Sequence, residues 1–385
     1  QLTFVLSELS MNLLNPESPG KGKIISLNLK NGMEQIRTVL DQQTMGMAYS
    51  KSLDKMVFWL SEQEGYSYEM QMLDKTGALE KIAEASAYRP TNLVAHPLQP
   101  YLIYEAWGSL LNIHILNYTQ LKPLLQSTHW DWHPRFSAGE EKIAFLSSRN
   151  GPMQVWLCDK DKPDQAVPIG DFELKRLNWL SLSPDAEVVL LQGNINGVEG
   201  IYKLEVRARK LSPLKTGNYI YAFPEFASDG QSVFYSSNQS GMWQIWRCDL
   251  DGNGEEMITK DGGYKALLRD MPDGPVLFYT PFLKPGLFKM NLETKQSEQL
   301  FSEEEYFDKM NFSITEMGVY YFQWKKGRCY LRYFDFETRE FNDLLPLDGI
   351  VPEVPSLAVG EKGTILIALT DEIEADLLKV EIRVK

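Results

Sequence analysis

The sequence predicts an all-β fold, a closed β-propeller of four-stranded antiparallel blades, about eight in number with seven as the alternative. Three observations carry this prediction. Residues 222–260 hold four short apolar strands separated by turn chemistry: Ser228-Asp229-Gly230, a polar loop through Gly241, and Asp251-Gly252. Asp-Gly ahead of an apolar run favours a hairpin because glycine takes positive φ without steric cost. The unit then recurs. Residues 133–159 align without a gap on 223–249, matching Pro134 with Pro224, Phe136 with Phe226, Ser147 with Ser237, Gly151 with Gly241, Gln154 with Gln244, Trp156 with Trp246, Cys158 with Cys248 and Asp159 with Asp249. That offset of about 90 positions is two periods of about 45, and the copy between begins Ser181-Leu-Ser-Pro-Asp185; such a period with four strands per copy is a ring of blades.

Taken in order, residues 1–40 read as a strand at 2–7, a Pro- and Gly-rich loop at 15–20, and a hairpin of 23–29 with 35–40 about Asn31-Gly32. The first copy spans 46–83. The second spans 91–125, with central strands at 102–105 and 111–116 and with prolines replacing Asp-Gly in the turn at 96–100. The three copies described above reach Lys260. A sixth covers 264–301 and a seventh 310–345. The last copy, 356–384, shows strands at 356–359, 364–369 and 376–382 and lacks a fourth. The strand surplus at the N-terminus answers that deficit. Residues 1–385 are therefore expected to form one propeller domain in which N-terminal strands complete the last blade and close the ring, removing two open sheet edges. Helical periodicity is confined to short polar windows such as 302–310.

The chain of 385 residues carries a formal charge of −13, which opposes a nucleic-acid partner or a direct anionic-membrane contact for this segment, since both need clustered Lys and Arg. No apolar run has membrane-spanning length. The chain opens with Gln1, which reads as a processed protein or a segment of a longer one, so membrane attachment is expected only through an upstream anchor. Cys158 and Cys248 occupy equivalent positions in different copies and are expected, with Cys329, to be reduced buried thiols.

Chemistry-bearing motifs are sparse. His129-Trp-Asp-Trp-His133 offers two imidazoles and a carboxylate, but on an extended segment residues four apart lie about 13 Å from each other, too far for one ion. Aromatic-rich strand packing is the better account. Asp249-Leu-Asp-Gly252 starts like a calcium loop and then lacks the remaining ligands, so it reads as a turn. The chain has no Gly-x-Ser-x-Gly elbow, phosphate-binding loop, Gly-x-Gly-x-x-Gly, Cys-x-x-Cys or His-Glu-x-x-His. No catalytic residue, metal or cofactor is expected.

The pattern Pro-x-Phe/Leu-Ser-x-Asp-Gly, an apolar strand ending in Ser-Ser, a glycine loop and Ile-Trp-x-x-Asp resembles the TolB-type propeller repeat. It is carried by 224–230 with 245–249, by 182–185, and by 134–137 with 155–159. The terminal stretch 357–380 is similar to the final repeat of propellers in membrane-anchored winged-helix transcriptional regulators of the CadC/ToxR type. That resemblance implies an extracytoplasmic or periplasmic sensing domain, preceded in the family by a DNA-binding domain and a membrane helix.

Two classes of function follow. One is a non-catalytic sensing or protein-interaction propeller that takes a protein, peptide or small-molecule ligand at a channel mouth. The other is a propeller-based enzyme, lyase-like or gating a serine peptidase, which needs convergent His and carboxylates from several blades. All four histidines lie between residues 96 and 133, which favours the first. Residues flanking the inner strands are those that every blade brings to one place, so the candidate ligand-binding residues are Trp130, Trp132, His133, Asn178, Trp179, Tyr221 and Phe223. Packing between neighbouring blades is the competing role for these aromatics.

Overall fold

Turn chemistry sets the first level of structure. The Asp229 carboxylate accepts the backbone N–H of Gln231 (2.8 Å) and Ser232 (3.0 Å), and Gly230 takes φ +66°, so the chain reverses between an inner strand and its neighbour. Asp185 does the same for Glu187 N–H and the Ser183 hydroxyl, with Ala186 at φ +59°. The computed structural model describes residues 2–7, 22–27, 34–40, 43–61, 67–86, 89–117, 120–170, 172, 174–302, 307–347 and 355–381. Among them the chain is all-β, with only two short 3-10 turns, Ala138–Glu140 and Pro163–Gln165.

Eight antiparallel sheets result, six of them four-stranded, which agrees with the propeller of about eight blades. The sheets fall into two compact units, Gln1–Ser109 with Glu372–Lys385, and Leu110–Asp371. In the second unit six inner strands touch in cyclic order: Asp131–Phe136, Leu174–Leu182, Tyr221–Phe226, Lys265–Met271, Phe307–Ile314 and Leu357–Val359, the last meeting the first. This ring closes on six blades. The first unit holds the three-stranded sheet of Leu2–Ser7, Gly22–Leu27 and Glu34–Leu40, and the four-stranded sheet from Gln43–Ser50 to Leu79–Ser86. Its core packs Val57, Trp59 and Met70 with Leu102 and Tyr104.

Two strands differ from the sequence expectation. Residues 102–105 and 111–116 lie in one strand, Tyr101–Asn117, and the expected strands 364–369 and 376–382 are joined in one strand, Ile365–Glu381, with residue 382 outside the described residues. Neither junction carries an Asn-Gly or Asp-Gly pair, so nothing compels a reversal there. The consequence is a different closure. The sheet of Leu357–Val359 and Ile365–Glu381 is completed by Tyr101–Asn117 and Gln120–Leu125, whereas Leu2–Ser7 pairs with Gly22–Leu27. Among the described residues, the N-terminal strands Leu2–Ser7, Gly22–Leu27 and Glu34–Leu40 form a sheet of their own. The tip of the expected Asn31-Gly32 hairpin lies outside the described residues, though its arms Gly22–Leu27 and Glu34–Leu40 pair antiparallel.

Side chains also lock the six-blade ring where first and last blades meet. Buried Glu140 accepts the Lys362 N–H, and the Lys362 ammonium donates to the Gly139 carbonyl at 2.8 Å. A side chain at Gly360 would meet the Glu140 carboxylate and displace it from the Lys362 N–H, so the close approach here favours glycine. Second strands such as Ser232–Ser237 are buried along their whole length because neighbouring blades cover both faces. One such layer joins Phe278, Leu287 and Phe301 to Phe312, Tyr321 and Phe334 of the next blade. All three cysteines are free buried thiols, as expected, and burial pushes Cys158 and Cys329 up to about 12 and Cys248 up to about 11.

Candidate functional site

Along the axis of the six-blade unit lie two layers with different character. The first sits where the inner strands begin. At equivalent places in two repeats, the pairing register shifts between Trp132 and Arg135 and between Ala222 and Glu225, and the residues inside these bulges, His133 and Phe223, adopt φ +53° and +51°. The bulges aim both rings inward. His133 meets Trp179 edge-on at 4.6 Å, Trp179 meets Phe223 at 5.1 Å, and Phe223 meets Tyr264 at 4.7 Å.

Of the residues proposed from sequence, Trp132, His133, Trp179 and Phe223 are therefore buried in an interlocked aromatic layer and offer no free surface, while Trp130, Asn178 and Tyr221 are half-buried. Packing between blades is what the geometry gives the four buried rings. Burial, aided by Arg135 and Lys265, holds the His133 imidazole well below its usual value and so neutral. The central carboxylate of the 129–133 segment is engaged elsewhere: fully buried Asp131 takes a bidentate pair with Arg149, at 2.7 and 3.0 Å. No cluster of three metal-ligating side chains occurs among the described residues.

The second layer sits at the opposite end, where the inner strands finish, and it encloses a cavity of about 190 Å³ lined from all six inner strands. Arg135 and Phe136, Ser181, Glu225, Arg269, Ser313 and Val359 represent the six contributions. Glu225 is its organising carboxylate. It accepts the Trp179 indole N–H (3.2 Å) and the Ser181 hydroxyl (2.9 Å), and pairs with Arg135 at 3.4 Å. Next to this pair stand two further cations of one strand. The buried Lys265 ammonium donates to the carbonyls of Met310 (2.7 Å) and Phe312 (3.2 Å) and lies 5.0 Å from the Trp179 ring centre. Arg269 donates to the carbonyls of Ile314 (2.9 Å) and Leu268 (2.7 Å). A larger hollow, about 640 Å³, runs along a single blade past Tyr202 and Pro213 and lacks convergence from several blades.

Sequence reasoning placed a site at a channel mouth but picked residues at the start of the inner strands. The cavity residues at their far ends were missed. Arg135 and Glu225 stand at equivalent positions of the two aligned repeats with opposite charges, and that substitution was the available signal.

Comparison with known proteins agrees with the fold. An uncharacterized protein of Agrobacterium fabrum is 30% identical over 86 residues, which is 22% of this chain and 29% of that protein, so the chain spans less than a third of the curated relative it matches. Among solved structures, TolB from Acinetobacter baumannii is similar over 93% of this chain and 78% of its own at 14% identity and a TM-score of 0.46. A puromycin-hydrolyzing peptidase of Mycobacterium tuberculosis is similar over 79% of this chain and 53% of its own, at 11% identity and a TM-score of 0.46. The family model for the TolB beta propeller domain, PD40, matches residues 119–356, well over half of the sequence and the bulk of the six-blade ring. On that match, the chain belongs to the TolB beta propeller (PD40) family.

Proposed function

We propose that this propeller is a non-catalytic binding module that takes a peptide segment or small ligand in the cavity where the inner strands end. One observation carries the reading: six inner strands deliver their last residues to one polar cavity, the arrangement in which a ligand touches every blade at once. The carboxylate in that cavity is engaged by three donors, which suits holding a shape better than abstracting a proton. Exposed Ala138 stands on the rim, so Ala138→Trp blocks access without emptying the core. Peptides selected against the protein by display are expected to lose at least tenfold in affinity for this variant at unchanged thermal stability. Selected binders that ignore the substitution would locate binding elsewhere.

The finer reading is that the module is the extracytoplasmic, periplasmic sensor part of a membrane-bound transcriptional regulator. Its support is the similarity of residues 357–380 to the final repeat of such propellers and the acidic charge, which leaves DNA contact to another domain. No helix among the described residues is long and apolar enough to cross a membrane, so the anchor in this reading lies upstream. The reading expects the coding sequence immediately upstream to specify a winged helix followed by one membrane-spanning helix. A different upstream sequence removes it while leaving the binding module in place.

A further inference from the structure

We propose that the axial cavity binds a carboxylate group and that Arg269 supplies the counter-charge; this rests on the reading of that cavity as the binding site. Three cations, Arg135, Lys265 and Arg269, gather at the axis of a protein whose formal charge is −13. Buried cations are held by paired anions when folding alone is served. Here one pairing is complete: Arg135 with Glu225, whose two oxygens are also occupied by Trp179 and Ser181. The Glu361 carboxylate stands exposed on the rim and accepts the Gly139 N–H at 3.3 Å. Among the described residues, the hydrogen bonds of Arg269 and Lys265 go to backbone carbonyls alone; Glu225, Glu361 and Asp270 act on Arg269, and Glu225 and Asp308 on Lys265, only through space.

Of these two cations Arg269 lines the cavity, and Lys265 stays buried beneath it. Arg269 spends Nε and Nη1 on carbonyls, which fixes the guanidinium plane and leaves Nη2 with two uncommitted N–H donors. A guanidinium fixed by two carbonyl acceptors, with free donors in the cavity lining and no hydrogen-bonded counter-ion, is preorganised for a carboxylate. Size limits the rest of the ligand. The cavity of about 190 Å³ equals the liquid volume of about six waters, which admits a small organic acid or the terminal residue of a chain and excludes a folded surface.

The test titrates the full chain calorimetrically with succinate, with the tripeptide acetyl-Gly-Ala-Leu bearing a free C-terminal carboxylate, and with its C-terminal amide. At least one acid is expected to bind, with the amide at least tenfold weaker than the free peptide if the chain end is the ligand. Tighter succinate binding assigns a free acid instead. Arg269→Gln is expected to weaken the bound acid at least tenfold and Arg269→Lys to recover part of the loss. Failure of both acids to bind, or equal binding to the unaltered chain and a folded Arg269→Gln variant, overturns the proposal. The acid–amide comparison needs no variant, so it decides even if Arg269→Gln does not fold. If acid and amide bind alike and both lose affinity on Ala138→Trp, the carboxylate inference falls and the binding reading stands. If binding of every probe ignores Ala138→Trp, both fall.

Discussion

Replacing Trp179 by alanine is expected to destabilise the six-blade unit by about 3–5 kcal/mol, the range for deleting a large buried aromatic. The indole is fully buried and sits at the centre of the axial layer. It fills the space between His133 (4.6 Å) and Phe223 (5.1 Å), and Arg135 and Lys265 stand 5.1 and 5.0 Å from its ring centre. Alanine would leave a cavity, strip both cations of an aromatic face and deprive Glu225 of a donor, so several costs coincide. Trp179→Phe keeps most of the packing and loses only the indole N–H, for which about 1–3 kcal/mol is expected. Urea unfolding measures both. A change below about 1 kcal/mol for the alanine variant would place the ring on a free surface and restore it to the list of ligand contacts.

Stability should rise with pH from about 7 and peak near 8 to 9. Burial is the chief reason that the Lys265 ammonium is pushed down to about 7, with neighbouring Arg135 adding to it and Glu225 and Asp308 opposing. An unfolded lysine titrates near 10.5. Below pH 7 both states carry the proton and the folded protein bears the full cost of the buried charge. Above it the folded protein releases a proton that the unfolded chain keeps, so stability grows by about 1 kcal/mol per pH unit. The cysteines act in the opposite sense. Their folded values, about 11 to 12, lie above the 9.0 of an exposed thiol, so beyond pH 9 the unfolded chain ionises first and stability falls. Lys265→Met should flatten the slope between pH 7 and 8.5 in urea titrations and leave the alkaline fall in place. An unchanged slope would mean that the ammonium keeps its proton through its carbonyl partners.

The repeat was legible because each copy states its own turns. Asp-Gly and Pro-Asp pairs reverse the chain by local backbone chemistry, and apolar runs between them can only be strands buried on both faces. The apolar runs at Ser232–Ser237 and Gly318–Lys325, inside the copies read at 222–260 and 310–345, accordingly form strands. Convergence of the inner strands on one axis was legible as a consequence of the repeat. The residues of the mouth were not, because an inner strand read alone does not say which of its ends opens to a cavity.

By itself the sequence determined the all-β class, the four-strand repeat, the buried reduced cysteines and the absence of a recognisable catalytic motif. Only the tertiary structure decided the closure, the axial layer and the charge balance. Closure depends on which strand edges meet, and the pairing of Tyr101–Asn117 with Ile365–Glu381 joins segments far apart in the chain that share no local signal. The inward turn of His133 and Phe223 depends on positive φ, which a bulky ring such as Phe223 adopts only when surrounding packing sustains it. Arg269 and Lys265, four apart on one strand, read as ordinary charges of a solvated strand. Folding places that strand at an axis where Glu225 pairs with Arg135 and no carboxylate hydrogen-bonds to the other two cations. A charge balance of this kind is a sum over neighbours brought together from several blades, and no single stretch of sequence contains it.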